Sequence, residues 1–152
     1  MKLTTRFLIC TLFFTLLQGC KDNSVSIYDT DVILKCHSEN RLDANMTKNK
    51  IIGEWEWMYI QCCGEANHYE NATQEKGLKI TFKEDGTGVE INEGVASSFK
   101  WNIRLNTNDG LYYFITTPFI SSLSGYILFC DSIMLCNNYG ADGANNFFQK
   151  NL

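Results

Sequence analysis

The chain has 152 residues, of which 45 % are hydrophobic and 20 % are charged, a composition that is typical of globular proteins and does not indicate disorder. The formal net charge is −4, and without residues 1–19 it is two charges lower, −6, because that segment carries Lys2 and Arg6 and no acid. An acidic chain argues against nucleic acid and against an anionic membrane surface as direct partners. The residues after the first 19 are enough for one domain of ordinary size and too few for two.

The N-terminal segment is organised like an export signal. Lys2 and Arg6 precede an apolar run, FLICTLFFTLL, which is shorter than the roughly 20 residues that a transmembrane helix needs. The run ends in LQGC, which resembles the lipobox of bacterial lipoproteins with Cys20 as its obligatory cysteine. The resemblance implies cleavage before Cys20, acylation of that residue and stable anchoring in a lipid bilayer. The alternative is an ordinary secretory signal with an incidental cysteine.

These features divide the chain into three parts. Residues 1–19 are interpreted as the signal peptide, and residues 20–50 as the lipidated Cys20 followed by a flexible tether. The tether is predicted because residues 21–50 are polar except for Val32 to Leu34. Residues 51–152 form the folded domain. We expect the protein in the cell envelope, anchored in the outer membrane with the domain on its periplasmic or surface-exposed face.

From Ile51 onwards apolar and polar residues alternate with a period of two, which is typical of half-buried strands. Eight strands are predicted, around residues 54–59, 78–83, 89–92, 99–105, 111–116, 126–130, 133–136 and 147–150. Turn sequences such as Asp85-Gly86 and Asp109-Gly110 separate them. We therefore predict an all-β domain, an eight-stranded antiparallel up-and-down β-barrel, because closure removes both free edges. A two-sheet sandwich is the alternative.

One motif connects the domain with a known family. Gly53-Glu54-Trp55 matches the Gly-x-Trp of lipocalins, and residues 51–150 as a whole resemble the lipocalin-like domains of small bacterial lipoproteins. The matching segments are GEWEWMYIQCCG, LKITFKEDGTG, SFKWNIRL, CDSIML and NNYGADGANNFFQK. The resemblance implies an eight-stranded barrel with a mouth at one end. A lipocalin usually places a late Arg across this Trp, and here Lys150 and Arg104 are both open as its counterpart.

Aromatic residues are the candidates for a ligand site. They either fill the barrel, whose interior is just wide enough for side chains, or line a small apolar cup at the mouth. Strand alternation predicts that six of them point inward, and these are the candidate ligand-binding residues: Trp55, Trp57, Tyr59, Phe82, Trp101 and Tyr113.

Cysteine is the other residue type that carries chemistry. An oxidising envelope permits disulfides, and we expect one between the pair Cys62–Cys63 and either Cys130 or Cys136, joining the first strand to the late strands. Free, buried cysteines are the alternative. Neither the group Cys62, Cys63 and His68 nor the pair Cys36-His37 has the spacing of a zinc site, so no metal is expected.

No candidate catalytic group emerges, because the chain lacks a nucleophile with a base placed beside it. Glu54 and Glu56 share one strand face, which a solvated surface explains. We therefore expect no catalytic activity and no cofactor. The sequence favours a membrane-anchored lipoprotein that binds a small apolar ligand or an envelope component. The alternative is a protein-interaction module without a pocket, such as a hydrolase inhibitor or an assembly accessory, whose protein partner the sequence does not identify.

Overall fold

Eight antiparallel strands close into an up-and-down barrel, which confirms the predicted fold class. The computed structural model describes residues 28–61, 69–71, 77–138 and 143–151. The barrel strands are β1 (Gly53–Gln61), β3 (Lys79–Phe82), β4 (Thr87–Asn92), β5 (Val95–Leu105), β6 (Tyr112–Thr117), β7 (Tyr126–Cys130), β8 (Ile133–Asn137) and β9 (Asn145–Lys150). A three-residue strand, β2 (Tyr69–Asn71), pairs with the last residues of β1. Pairing of β1 with β9 closes the barrel, as the removal of free edges requires.

The up-and-down order places the connections alternately at two ends. We call base the end where β1 begins and where the β3–β4, β5–β6 and β7–β8 hairpins lie. We call mouth the end where β1 stops at Gln61, opposite the first residue of β9, Asn145. The β4–β5 hairpin and the connection that leaves β6 at Thr117 also lie at the mouth.

Aromatic rings fill the barrel interior. The ring of Phe82 stacks on that of Phe114 with centroids 5.2 Å apart, and it meets Trp101 and Phe99 edge-on at 5.3 and 5.7 Å. Trp55 is fully buried and satisfies its Nε1 by donating to the carbonyl oxygen of Ile51 at 2.7 Å. Such rings bury large apolar areas and gain from edge-to-face and stacked geometry. The interior is therefore a packed core and not an open lumen.

Two helices precede the barrel, and from residue 30 onwards they correct the flexible tether predicted for residues 20–50, of which residues 20–27 lie outside the described part of the chain. The helices are α1 (Thr30–Asn40) and α2 (Ala44–Ile51), each begun by an aspartate side chain, Asp29 or Asp43, that accepts backbone N–H groups. Each helix also buries an isoleucine completely. Short helices of this kind are stabilised by packing, so their polar composition concealed them in the sequence. The predicted signal peptide and Cys20 lie outside the described residues.

The helix α2 closes the base of the barrel. Its last residue, Ile51, packs into the core inside the strands, and Leu42 and Ile52 pack against the same core from either end of the helix. Because the chain passes directly from Ile52 to Gly53, the position of α2 is set by the start of β1.

The helix α1 lies on the outside of the barrel. Its Ile33 is fully buried in a cluster with Leu128, Leu135 and Phe147, which are the outward-facing residues of β7, β8 and β9. This position explains why β7 and β8 are apolar on both faces: one face packs inside the barrel and the other packs under α1. Within the described residues, neither helix is long and apolar enough to cross a membrane.

A disulfide links α1 to the barrel. Cys36 is bonded to Cys130 at the end of β7, and their Cα atoms are 5.4 Å apart. The predicted bridge from Cys62 or Cys63 to Cys130 or Cys136 is therefore wrong. Cys130 is bonded to Cys36, and Cys136 is a free thiol buried in the core. Burial raises the pKa of the Cys136 thiol. Cys62 and Cys63 lie outside the described residues.

His37, the residue after Cys36, also attaches α1 to the barrel. The described parts of β6 and β7 pair at one position, Tyr113 with Tyr126, so the backbone pairing between these two strands is short. Below this pair, the backbone N–H of Phe129 donates to Nδ1 of His37 at 3.1 Å. The helix thus supplies a hydrogen-bond acceptor to a backbone group of β7.

Candidate functional site

The barrel mouth holds a cavity of about 360 Å³. Its walls come from five parts of the chain. These are Trp57 and Ile60 of β1; Leu78, just before β3; Glu90 and Asn92 of β4; Ser121, Ser122 and Ser124 of the β6–β7 connection; and Ala144 with Asn146 at the start of β9. The apolar part of this wall comes from β1 and Leu78, and the polar part comes from the remaining elements. The cavity is therefore of mixed polarity, unlike the purely aromatic core below it.

The phase of β4 puts a carboxylate in this cavity. Gly88 faces the interior, because a Cβ at that position would lie 2.3 Å from Cζ of the buried Phe99. Residues two apart share a strand face, so Glu90 and Asn92 face inward with Gly88, whereas Ile91 is exposed. The inward-facing polar residues of β4 thus line the mouth and its apolar residues face solvent.

Glu90 and Ser122 are without protein partners in the described part of the chain. The half-buried Glu90 carboxylate makes no hydrogen bond or ion pair with another described residue, and burial raises its pKa. The buried hydroxyl of Ser122 likewise finds no described hydrogen-bond partner. Buried polar groups without partners are costly in free energy, so the half-buried Glu90 carboxylate is suited to a hydrogen bond with a ligand, whereas the enclosed hydroxyl of Ser122 presents almost no surface to one.

Trp57 is held in place at the same site. Its Nε1 donates to Oδ1 of Asn146 at 3.1 Å, which leaves the ring as part of the cavity wall. Asn145, the residue before, points to the other face of β9, where its Nδ2 donates to Oε1 of Gln61 at 3.1 Å. The amide of Asn146 therefore orients the indole, and the indole supplies the flat apolar surface of the mouth.

Of the six predicted ligand-binding residues, Trp57 lines the cavity. Trp55, Phe82 and Trp101 do point inward, but they are buried in the core. Their rings pack on one another and on neighbouring phenylalanines, and Trp101 Nε1 donates to the carbonyl oxygen of Thr87 at 3.0 Å. Of the two alternatives, filling of the barrel by aromatic side chains describes these three residues, and the cavity lies above the core that they form.

Tyr59 lies on the outer face of the barrel, contrary to the prediction from alternation. The pairing of β1 with β9 is irregular at this point, since Trp57 pairs with Phe148 but Tyr59 pairs with Phe147. A bulge of one residue exchanges the two faces of a strand beyond it. The ring of Tyr59 consequently packs on Tyr28, with centroids 4.4 Å apart, beneath α1.

Tyr113 also faces outward. It pairs with the exposed Arg104 across β5 and β6, whereas Phe114 pairs with Ile103 and packs into the core. Because Tyr113 and Phe114 are adjacent aromatic residues, alternation allows either of them to face inward. In the structure Phe114 faces inward and Tyr113 faces outward.

A second, outer groove of about 600 Å³ runs past Tyr113, Tyr126 and Asn106. Here the polar groups already bond to one another, because Nδ2 of Asn106 donates to the hydroxyl of Tyr126 at 2.7 Å and to Oδ2 of Asp109 at 3.0 Å. The mouth, where the half-buried Glu90 carboxylate lacks a described partner, is therefore the better candidate for a binding site.

The described residues include neither a metal-binding cluster nor a buried pair of acids on β1. Among the described residues, no three His, Cys, Asp or Glu side chains are grouped to hold a metal ion. Cys36 is used in the disulfide, and Cys62, Cys63 and His68 lie outside the described residues. Glu54 is exposed and forms an ion pair with Lys79, with 3.8 Å between Nζ and Oε1. Its position on a solvated face agrees with the interpretation of Glu54 and Glu56 as surface residues.

The chain matches no protein-family model and no curated protein. It is similar to a crystal structure of a DUF4847 family protein from Bacteroides vulgatus ATCC 8482, with 18 % sequence identity and a TM-score of 0.45. The alignment covers 66 % of this chain and 94 % of that one. A similarity at this level says nothing of family membership or function.

Proposed function

We propose that the chain is a lipid-anchored binding protein of the bacterial outer membrane with a lipocalin-like barrel, and that its ligand site is the mouth. Anchoring rests on the LQGC sequence that ends at Cys20, and the lipocalin-like character rests on Gly53-Glu54-Trp55 within an eight-stranded barrel. The observation that carries the binding site is the inward-facing, unpartnered carboxylate of Glu90 beside the ring of Trp57. The proposal includes no catalytic step.

The cavity defines the class of ligand. A volume of about 360 Å³ lies at the lower end of the roughly 300–1,000 Å³ that is typical of small-molecule sites. Trp57, Ile60 and Leu78 offer contact to an apolar body, and Glu90 offers an acceptor to a charged donor. A small molecule with an apolar part and an ammonium group satisfies both, because a charge-assisted hydrogen bond stabilises the half-buried carboxylate. A purely apolar ligand would leave Glu90 unpaired.

Three tryptophans make this proposal testable in one spectrum. The indole N–H of Trp57 lies at the mouth, whereas those of Trp55 and Trp101 are bonded inside the core. We would titrate the mature chain with benzylamine and, separately, with benzyl alcohol, and follow the three indole resonances by NMR. We expect benzylamine to shift the Trp57 resonance, benzyl alcohol to shift it less, and the two core resonances to stay in place.

Glu90→Gln and Glu84→Gln form the matched pair of variants. Glu84 is exposed in the β3–β4 hairpin at the base. We expect Glu90→Gln to abolish the difference between amine and alcohol, and Glu84→Gln to retain it. If the Trp57 resonance responds to neither compound, the mouth is not a site for this class, and the protein-interaction module without a pocket becomes the better description.

A further inference from the structure

We propose that the mouth of the barrel faces the lipid bilayer, so that the ligand site opens toward the membrane surface. The orientation rests on the proposed anchoring at Cys20. It follows from where the chain enters the fold, from how few residues lie between Cys20 and that point, and from which end of the barrel carries the two most exposed apolar side chains.

The chain enters the fold at the mouth. Thr30, the first residue of α1, donates from Oγ1 to Oε1 of Gln61 at 2.9 Å and accepts from Nδ2 of Asn145 at 3.4 Å. Gln61 is the last residue of β1 and Asn145 is the first of β9, and both lie at the mouth. The helix then runs toward the base, where Cys36 is bonded to Cys130 next to the β7–β8 hairpin.

The segment between the anchor and the fold is short. Seven residues separate Cys20 from Tyr28, so even fully extended this stretch spans at most about 29 Å. From the start of α1 to the far side of the base is about 16 Å along that helix plus roughly 10 Å for the diameter of α2. Turning the base to the bilayer would consume nearly the whole reach of the segment. Turning the mouth to the bilayer requires little of it and costs less conformational entropy.

The apolar surface points the same way. Phe119 and Val95 are the two most exposed large hydrophobic residues of the described chain, at 74 % and 67 %. Phe119 directly precedes the segment that supplies Ser121 to the cavity wall, and Val95 follows the hairpin turn after Asn92. Exposed aromatic and aliphatic side chains at one end of a lipid-anchored domain are suited to the headgroup boundary. The acidic net charge favours a zwitterionic surface over an anionic one.

An added tryptophan can report the orientation. We would prepare the full mature chain with its acyl groups, carrying either Phe119→Trp at the mouth or Leu105→Trp at the base. Leu105 is the matched control because it is 43 % exposed and ends β5 at the opposite end. Each protein is reconstituted in phosphatidylcholine vesicles with and without lipids brominated near the headgroup, and the emission above that of the unsubstituted protein is compared.

We expect bromine to quench more than half of the emission added by Phe119→Trp and to leave that added by Leu105→Trp unchanged. Equal quenching, or stronger quenching at the base, overturns the orientation. Mass spectrometry of the same preparation separates the two hypotheses. An unacylated Cys20 overturns the anchor and the orientation together, whereas an acylated Cys20 with quenching at Leu105→Trp overturns the orientation alone.

Discussion

The ammonium group of Lys150 lies over the ring of Trp55, with 5.2 Å between Nζ and the ring centroid. The same Nζ donates to the carbonyl oxygen of Lys50 at 2.7 Å, so the end of β9 is joined to the start of β1 and to α2. Burial lowers the pKa of Lys150, and the nearby Lys50 adds to this. The cation that crosses the Gly-x-Trp tryptophan is therefore Lys150, whereas Arg104 is exposed on β5.

Replacing Lys150 is expected to loosen the base of the barrel. Lys150→Met removes a cation–π contact and a charge-assisted hydrogen bond, and we expect it to lower the free energy of unfolding by about 1–3 kcal/mol. Lys150→Arg retains the charge and should retain most of the stability. Urea denaturation followed by tryptophan fluorescence measures both. Lys100→Met, at an exposed position, is the control and should change stability by less than about 0.5 kcal/mol. An equal loss in the Lys100 variant would contradict the assignment.

Adjacent residues of α1 test whether that helix is part of the fold. Ile33→Ala creates a cavity beneath the helix and should cost about 2–4 kcal/mol, since Ile33 is fully buried. Leu34→Ala, at a residue that is 45 % exposed, should cost less than about 0.5 kcal/mol. Thermal and urea unfolding of the two variants supply the comparison. Similar values for both would mean that residues 30–40 do not pack as described.

Loss of the disulfide is expected to be the largest single change outside the core. The bridge joins residues 94 positions apart in the sequence. In the chain-entropy model a disulfide that closes a loop of this length raises the free energy of unfolding by about 3–5 kcal/mol. The double variant Cys36→Ala/Cys130→Ala should show this loss, and a reducing agent should destabilise the natural chain but not the variant. Peptide mapping without reduction should recover Cys36 joined to Cys130. A peptide joining Cys62 or Cys63 to Cys130 would contradict the structure.

His37 predicts a loss of stability on mild acidification. Burial lowers the pKa of His37, with a smaller contribution from Lys50, and its neutral Nδ1 accepts the N–H of Phe129. The unfolded chain therefore binds the proton more readily than the folded one. This contribution is fully present above the unfolded pKa of about 6.5 and is lost as the pH falls below it. His37→Asn should show a flatter dependence of the melting temperature between pH 7 and 5 than the natural chain does.

Glu90 predicts the opposite slope. Burial raises the pKa of its carboxyl group, so the folded state holds this proton more tightly than the unfolded state. Stability is then highest when the group is protonated and falls as the pH rises through the raised pKa. Glu90→Gln should raise the melting temperature at pH 7. This gain should vanish at pH values below about 4, where the carboxyl group is protonated in both the folded and the unfolded state. Glu84→Gln should leave the melting temperature unchanged. A lower melting temperature for Glu90→Gln at pH 7 would show that the carboxylate has a partner in the folded protein.

The barrel strands were predictable because half-buried strands repeat every two residues, and all eight predicted segments overlap strands. The helices were not, because α1 and α2 contain few apolar residues and each relies on a single fully buried isoleucine. A signal for α1 was nevertheless present in the barrel: the runs in β7 and β8 are apolar on both faces, which requires something to cover the outside.

The site was predictable in part. Trp57 follows from alternation, but alternation fails beyond a bulge and therefore misplaced Tyr59. Glu90 was missed because its apolar neighbours Val89 and Ile91 suggested the opposite phase. The signal that fixes the phase is Gly88, the residue that leaves room for Phe99, and recognising it required knowing that Phe99 lies opposite.

The link between Cys36 and Cys130 also decides which part of the protein would bear mechanical tension. A force applied between the N-terminal end and the C-terminal strand passes from α1 through the disulfide into Cys130, and then through β8 and β9. The 93 residues between the two cysteines form a covalent loop outside this path. The mouth residues Trp57 and Glu90 belong to that loop, so covalent tension would reach the cavity wall at Asn146 of β9, whereas β1 would be loaded through contacts such as the hydrogen bond from Thr30 to Gln61.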